Sequence, residues 1–139
     1  MNVGANQVAQ QVSARALQFI QRYYECLDHP NRRGEWINFF VPPGVVQHPV
    51  LIWNGHMLPT QNEIAQYLDN LPPTKHSTSS IDAQPMMGSA DDFIITVQGT
   101  VTYNGNERKR FFHRITTTKA PNSNATYVSS DFFRWTGDA

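Results

Sequence analysis

A strand-like run near the C-terminal end, residues 126–135, carries bulky apolar side chains at positions of both parities. In an extended chain successive side chains point to opposite faces of the sheet, so both faces of this strand have to be covered. The helices predicted below suffice for one face only. We therefore expect a second polypeptide to cover the other face, which makes this chain half of a dimer. One face receives Tyr127, Phe133 and Trp135, and the other receives Val128 and Phe132.

Three helices are predicted from apolar residues that recur every three or four positions. The first covers residues 8–27. The second is short, residues 32–40, because two prolines follow it and a helix does not continue through them. The third begins in a capping box formed by Thr60 and Glu63, and it also ends before two prolines.

After the third helix the pattern changes to the alternation that is typical of β-strands. Asn-Gly pairs at 54–55 and 104–105 predict tight hairpin turns. The order of elements predicts an α+β fold, a cone in which a strongly bent antiparallel sheet wraps around three helices. We expect residues 1–139 to form this single domain, with residues 1–6 flexible. Strands are expected at 45–53, 56–58, 75–86, 93–103, 111–119 and 126–135.

Composition limits the classes of function. Eleven basic and eleven acidic residues among 139 leave no net charge, which argues against direct nucleic-acid binding and against binding to an anionic membrane. The basic residues 108–110 are interpreted as a solvated strand start. No apolar run approaches the roughly 18 residues that a membrane span needs, and the N-terminus has no signal-peptide pattern. With Cys26 as the single cysteine no internal disulfide forms, so we expect an intracellular, soluble protein.

Side chains suited to catalysis are present, but no pair of them forms a recognisable pattern. An acid-base site needs a base and a proton donor in a cavity, with pKa values shifted by burial. The five histidines lack metal-site spacing and are interpreted as scattered surface or loop residues, whereas His113 alone shares strand parity with core positions. We expect no catalytic residue, no metal and no cofactor, and we expect Trp36, Trp53 and Trp135 to fill the core. A cavity enzyme would have to use His56, His113, Asp82 or Asp131 with Tyr23 or Tyr24.

Several short strings, taken in order, resemble the NTF2-like family, and within it the small NTF2-related export subunits. The resemblance runs from the first helix to the last strand, and it includes the placement of the Trp-Asn-Gly string before a capped helix. It implies the NTF2-like fold. The strings are LIWNG at 51–55, Asp82 with Gln84 and Pro85, Gly99 with Thr100, NGN at 104–106, and SDFFRW at 130–135.

The resemblance implies a non-enzymatic subunit that forms a heterodimer with the NTF2-like domain of the large mRNA export receptor. Together the two would bind nucleoporin phenylalanine-glycine repeats, support mRNA export, and shuttle between nucleus and cytoplasm through the nuclear pore. Nuclear transport factor 2 itself uses acidic residues near the turn that corresponds to 104–110 to bind the Ran GTPase. Here that turn is mostly neutral or basic, which argues against Ran binding.

The resemblance also implies that the partner lies on the face that carries Phe132 and Arg134. These two side chains share strand parity and point away from Asp131 and Phe133. A guanidinium forms forked pairs with a carboxylate, so Arg134 would fix the choice of partner. The companions expected on this face are Val128 and Ser130 in the last strand and Ile94, Thr96 and Gln98 in a neighbouring strand.

Two other functions stay open at the level of the sequence. One is a homodimeric NTF2-like protein that binds peptides or transport factors by itself. The other is a cavity enzyme of the isomerase or dehydratase type, since this fold hosts such enzymes as well. An Asp and a His within hydrogen-bonding distance in an empty polar cavity would favour the enzyme.

Overall fold

The computed structural model describes residues 3–32, 50–86, 92–119 and 125–139, with the side chains of the first range from Ser13 onward. Two helices and six strands lie in these ranges. The helix predicted at 32–40 lies outside them, apart from its first residue. The bounds are α1 Val3–Asp28, β1 Val50–Trp53, β2 His56–Leu58, α2 Gln61–Asn70, β3 Thr74–Pro85, β4 Phe93–Tyr103, β5 Glu107–Lys119 and β6 Thr126–Asp138.

The six strands form one sheet in the order β2-β1-β6-β5-β4-β3. Every pair of neighbours is antiparallel except β1 and β6, which run parallel, with Ile52 opposite Phe132. A parallel pair requires a long connection, and these two strands are separated by most of the chain. The α+β fold with a bent sheet is confirmed, while the purely antiparallel sheet that we expected is wrong at this one junction.

Helix α1 packs its apolar side on the inner face of the sheet. Ala16, Ile20, Tyr23 and Leu27 recur at the predicted helical spacing, and all four are fully buried. At the end of α1 the Arg32 guanidinium donates hydrogen bonds to the backbone carbonyls of residues 71 and 72, which follow α2. These bonds tie the ends of the two described helices together.

The inner face of the sheet is a stack of aromatic and branched side chains. Phe133 lies at the centre, with its ring centroid 4.2 Å from that of Trp53 and 5.1 Å from that of Phe111. Burying one such side chain contributes roughly 1.5–3 kcal/mol. Trp53 is therefore the core residue we expected, whereas Trp135 is 42% exposed at the rim, because it is near the end of β6. Trp36 lies outside the described residues.

Both Asn-Gly turns are confirmed, since all four residues have positive φ: Asn54 50°, Gly55 84°, Asn104 51° and Gly105 76°. The predicted cap is also present, with Thr60 Oγ1 accepting the amide of Glu63 at 3.2 Å.

A β-bulge at Ser129 reverses the alternation in the first part of β6. Thr116 pairs with Ser130 and Thr117 pairs with Val128, so Ser129 is the extra residue. As a result Val128 points inward and is 0% exposed, whereas Tyr127 is half-buried. We expected the opposite arrangement, with Val128 beside Phe132 on the outer face, and that expectation is wrong because a bulge breaks simple parity.

Candidate partner-binding face and the buried polar cluster

The outer face of the sheet carries a groove of about 400 Å³ between β5 and β6. The cross-strand register places Phe112 opposite Arg134 and Arg114 opposite Phe132. Rings and guanidinium groups therefore alternate both along each strand and between the two strands. Below them the hydroxyl groups of Thr116 and Ser130 are hydrogen-bonded to each other at the end of the groove.

The groove is not covered by any other described part of the chain. Phe132 is 46% exposed, and it is one of only a few large hydrophobic residues at the surface of the described ranges. Arg114 and Arg134 are exposed, and neither side chain makes a hydrogen bond or an ion pair with any residue that the structure describes. An exposed aromatic ring between unpaired cations is typical of a protein contact surface, where aromatic residues and arginine are enriched.

The structure places all the predicted partner-facing residues on the outer face except Val128. Phe132 and Arg134 line the groove together with Ser130. The β4 residues Ile94, Thr96 and Gln98 point the same way, but they lie one strand further from β6 than expected, because β5 stands between the two strands. Val128 belongs to the core and is not available to a partner.

The residues that the sequence analysis missed are those of the intervening strand, Phe112, Arg114 and Thr116. Their neighbours Phe111 and Ile115 point inward, and strict alternation along β5 turns the three outward. That signal was present in the sequence. The order of the strands, with β5 next to β6, shows in addition that these residues lie directly beside Phe132 and Arg134.

The inner face carries a second notable feature, a cluster of hydrogen-bonded polar side chains in the core. Both Tyr23 and His113 bond to the Asp131 carboxylate, His113 through Nε2. The other ring nitrogen of His113 lies 2.7 Å from the hydroxyl of Tyr24. The two carboxylate oxygens of Asp131 thus serve Tyr23 and His113 Nε2 separately, and His113 Nδ1 is left to pair with the hydroxyl of Tyr24. Every polar atom of this cluster therefore has a partner.

A second buried histidine lies next to this cluster. The His76 ring stacks on Tyr24 at 5.0 Å between centroids, and its Nδ1 lies 2.6 Å from an oxygen of Asp28. Burial lowers the pKa of His76, although the hydrogen bond to Asp28 acts in the opposite direction. Its Nε2 has no hydrogen-bond partner among the described residues, which suits a neutral ring because protonation would bury an unpaired N–H.

These contacts correct the interpretation of His76 as a surface or loop residue, since its side chain lies inside the fold. His113 is fully buried with both ring nitrogens bonded, as its shared parity with core positions predicts. Burial raises the pKa of Tyr24 well above its usual value, and the nearby Asp131 charge raises it further by a smaller amount. The Tyr24 phenol therefore stays protonated. The interior therefore contains a hydrogen-bonded network of polar side chains around one carboxylate.

The cluster contains an Asp and a His in contact, which is the pair that a cavity enzyme would need. Both side chains, however, are 0% exposed, so no substrate reaches either of them in this conformation. The other candidates, His56 and Asp82, are exposed and lie apart from the cluster. Among the described residues no three His, Cys, Asp or Glu side chains are close enough together to hold a metal ion.

The basic residues 108–110 lie at the start of β5, as expected. Lys109 pairs with Asp138 at 2.6 Å and with Glu107 at 3.7 Å, and its ammonium group lies 5.8 Å from the centre of the Trp135 ring. Local acids therefore offset part of this charge. Neither described helix is long and apolar enough to cross a bilayer.

Comparison with known proteins is consistent with this architecture. The sequence profile of the nuclear transport factor 2 (NTF2) domain matches residues 15–135. NTF2-related export protein 2 of Homo sapiens is 26% identical over 132 residues, which cover 90% of this chain and 87% of that protein. NTF2-related export protein 1 of Schizosaccharomyces pombe is 32% identical over 90 residues, which cover 65% of this chain and 71% of that protein. A chain in the crystal structure of the C. albicans Mtr2-Mex67 M domain complex has a TM-score of 0.69 at 12% identity, with 93% of this chain and 98% of that chain covered.

A curled, unclosed six-stranded sheet packed on helices defines the class of NTF2-like α+β proteins. The chain belongs to the nuclear transport factor 2 domain family, whose profile spans most of its length. The resemblance inferred from the short sequence strings is thereby confirmed.

Proposed function

We propose that this chain is the small, non-enzymatic subunit of an mRNA export heterodimer. It pairs with the NTF2-like domain of the large mRNA export receptor through the outer face of its sheet. The pair binds nucleoporin phenylalanine-glycine repeats and shuttles between nucleus and cytoplasm. The chain itself supplies a docking surface and stability, and it binds neither Ran nor nucleic acid directly.

The observation that carries this proposal is the uncovered groove on the outer face. Phe132 is 46% exposed beside Arg134, whose guanidinium is unpaired among the described residues. A partner sheet packed face to face would bury this ring and supply a carboxylate to the arginine. The relatives named NTF2-related export proteins, and the solved complex of Mtr2 with the Mex67 M domain, support an export partner.

The buried cluster supports a role in stability and not in catalysis. Asp131 and His113 satisfy each other and two tyrosines, and both are closed to solvent. A catalytic pair would have at least one polar atom facing a cavity that admits substrate. A non-enzymatic subunit needs only the rigid inner face that this network provides.

The test is co-expression of this chain with the NTF2-like domain of the large export receptor from the same organism. Size-exclusion chromatography with light scattering should show a one-to-one complex. Arg134→Asp should weaken that complex at least about 30-fold, because the new carboxylate would face and repel the carboxylate that we expect on the partner. Circular dichroism of the variant should match the wild type, since Arg134 is exposed.

The matched control is Arg22→Asp, the same charge change at an exposed position of α1. This variant should bind the receptor domain as the wild type does. A wild-type chain that forms a stable dimer with itself and does not bind the receptor domain would contradict the proposal and favour the homodimeric alternative. To test repeat binding, the chain alone and the heterodimer would be passed over an immobilised phenylalanine-glycine repeat peptide, and only the heterodimer should be retained.

A further inference from the structure

The groove contains two guanidinium groups, and Arg114 is the one that the proposed function does not yet use. Arg114 stands directly opposite Phe132, and Arg134 stands opposite Phe112, so each cation has a ring as its cross-strand neighbour. Diagonal neighbours on one face of a sheet have their Cβ atoms roughly 7–8 Å apart. Both charges therefore face the same small area of any surface that packs there.

Among the residues that the structure describes, no acidic side chain pairs with either of these two charges. The six residues that line the groove are Phe112, Arg114, Thr116, Ser130, Phe132 and Arg134, and none is acidic. On the β4 side the outward neighbours opposite Arg114 and Phe112 are Thr96 and Gln98, which are neutral. The described outer face has an acid further away at Asp82, which pairs with Thr96 across β3 and β4 but makes no ion pair with Arg114.

We infer that Arg114 is a second specificity-determining residue. The groove then selects a partner sheet that carries an apolar side chain with one carboxylate on each side of it. The same two arginines prevent the chain from pairing with itself through this face. A two-fold symmetric dimer centred on the groove would gather the four arginines of the two copies in one small area. We expect the repulsion among these four charges, in a groove that no acidic residue lines, to outweigh what the four phenylalanines of the two copies gain by packing.

This inference rests on the proposed function for the location of the partner, and it adds the chemistry of that partner and the reason for a heterodimer. A phosphate-rich partner is a poorer fit, because two of the six lining residues are Phe112 and Phe132, whose rings require apolar surface opposite them. Two carboxylates that flank an apolar side chain satisfy all four groups at once.

The first experiment measures binding of Arg114→Glu to the receptor's NTF2-like domain by isothermal titration calorimetry at about 150 mM salt. We expect a loss of at least about 30-fold, similar to that of Arg134→Asp. The matched control is Arg108→Glu, an equally exposed arginine of the same strand that lies outside the groove and should change affinity by less than about threefold. If the wild type binds but Arg114→Glu binds equally well, the inference is wrong while the proposed function stands.

The second experiment does not depend on the receptor. Sedimentation equilibrium should show that the wild-type chain and the double variant Arg114→Glu/Arg134→Glu are each monomeric when alone. A one-to-one mixture of the two should form a mixed dimer, because the apolar groups then meet with complementary charges. A wild-type homodimer at low salt, or a mixture that stays monomeric, would overturn the inference. If the wild type fails to bind the receptor domain and the mixed dimer still forms, the proposed function is wrong, while the inference about charge selection at the groove stands.

Discussion

The inner and outer faces of β5 and β6 are built from alternate residues of the same strands, yet they differ in how their polar groups are satisfied. On the inner face Asp131 and His113 are bonded to each other and to two tyrosines, with no exposed surface. On the outer face the adjacent residues Phe132 and Arg114 are exposed, and the guanidinium lacks a partner among the described residues. The polar groups of the inner face find their partners within the chain, whereas the outer face leaves an exposed ring and a guanidinium that a second molecule could cover.

The difference shows how one sheet separates stability from recognition. A buried polar group that loses its partner costs free energy of unfolding, so the inner face tolerates little change. Arg114 and Arg134 are exposed and have no partner to lose among the described residues, so we expect substitutions there to leave the free energy of unfolding nearly unchanged. The two faces should therefore respond oppositely to mutation, with stability effects inside and binding effects outside.

The largest effect on stability is expected from Asp131→Asn. The amide replaces one of the two acceptor oxygens with an N–H donor, so either His113 or Tyr23 loses its present acceptor in the buried cluster. We expect a loss of about 3 kcal/mol or more in the free energy of unfolding, measured by urea denaturation.

The matched variant on the outer face of the same strand is Arg134→Ala. It should change the free energy of unfolding by less than about 0.5 kcal/mol, because the side chain is exposed. Equal losses in the two variants would show that the division between a stabilising inner face and a recognising outer face does not hold.

The next effect tests the bulge at Ser129. Val128→Ala should cost about 2 kcal/mol of unfolding free energy, since it removes two methyl groups from a fully buried position. Tyr127→Ala should cost about 1 kcal/mol or less, because its side chain is half-buried. The reverse order, with receptor binding weakened by Val128→Ala, would mean that β6 has no bulge and that simple alternation continues.

The smallest effect concerns pH and the buried His76. Burial lowers its pKa in the folded protein below the ordinary value of 6.5, so the unfolded chain binds more protons as the pH falls past that value. The stability from the neutral ring is therefore complete above pH 6.5 and is lost below it, by at most about 1.4 kcal/mol per pH unit. Urea denaturation at about pH 7.5 and about pH 5.5 should show a smaller loss for His76→Gln than for the wild type. The same loss in both proteins would exclude His76 as the cause.

The sequence was sufficient for features that depend on local geometry. The Asn-Gly turns, the Thr60 cap and the buried face of α1 follow from backbone preferences and helical spacing, and all are confirmed. The outward direction of Phe132 and Arg134 also follows from alternation, because no irregularity lies between them and the end of the predicted strand. Family membership was apparent from short strings in the right order.

Features that depend on which elements become neighbours were not predictable in this way. The parallel pairing of β1 with β6 joins residues about eighty positions apart, and the cluster of Tyr23, Tyr24, His113 and Asp131 joins α1 to β5 and β6. Val128 was misplaced because a single extra residue reverses the alternation, and nothing in the local pattern marks it.

The sequence by itself determined the α+β elements, their turns and caps, and the presence of an apolar strand with two sides to cover, because each of these depends on residues within one or two turns of chain. Only the tertiary structure decided that His113 and Asp131 satisfy each other inside the fold, while Arg114 and Arg134 on the outer face have no partner in the described part of the chain. The physical reason is that hydrogen bonding and burial depend on distances between strands, and those are fixed only when the sheet assembles.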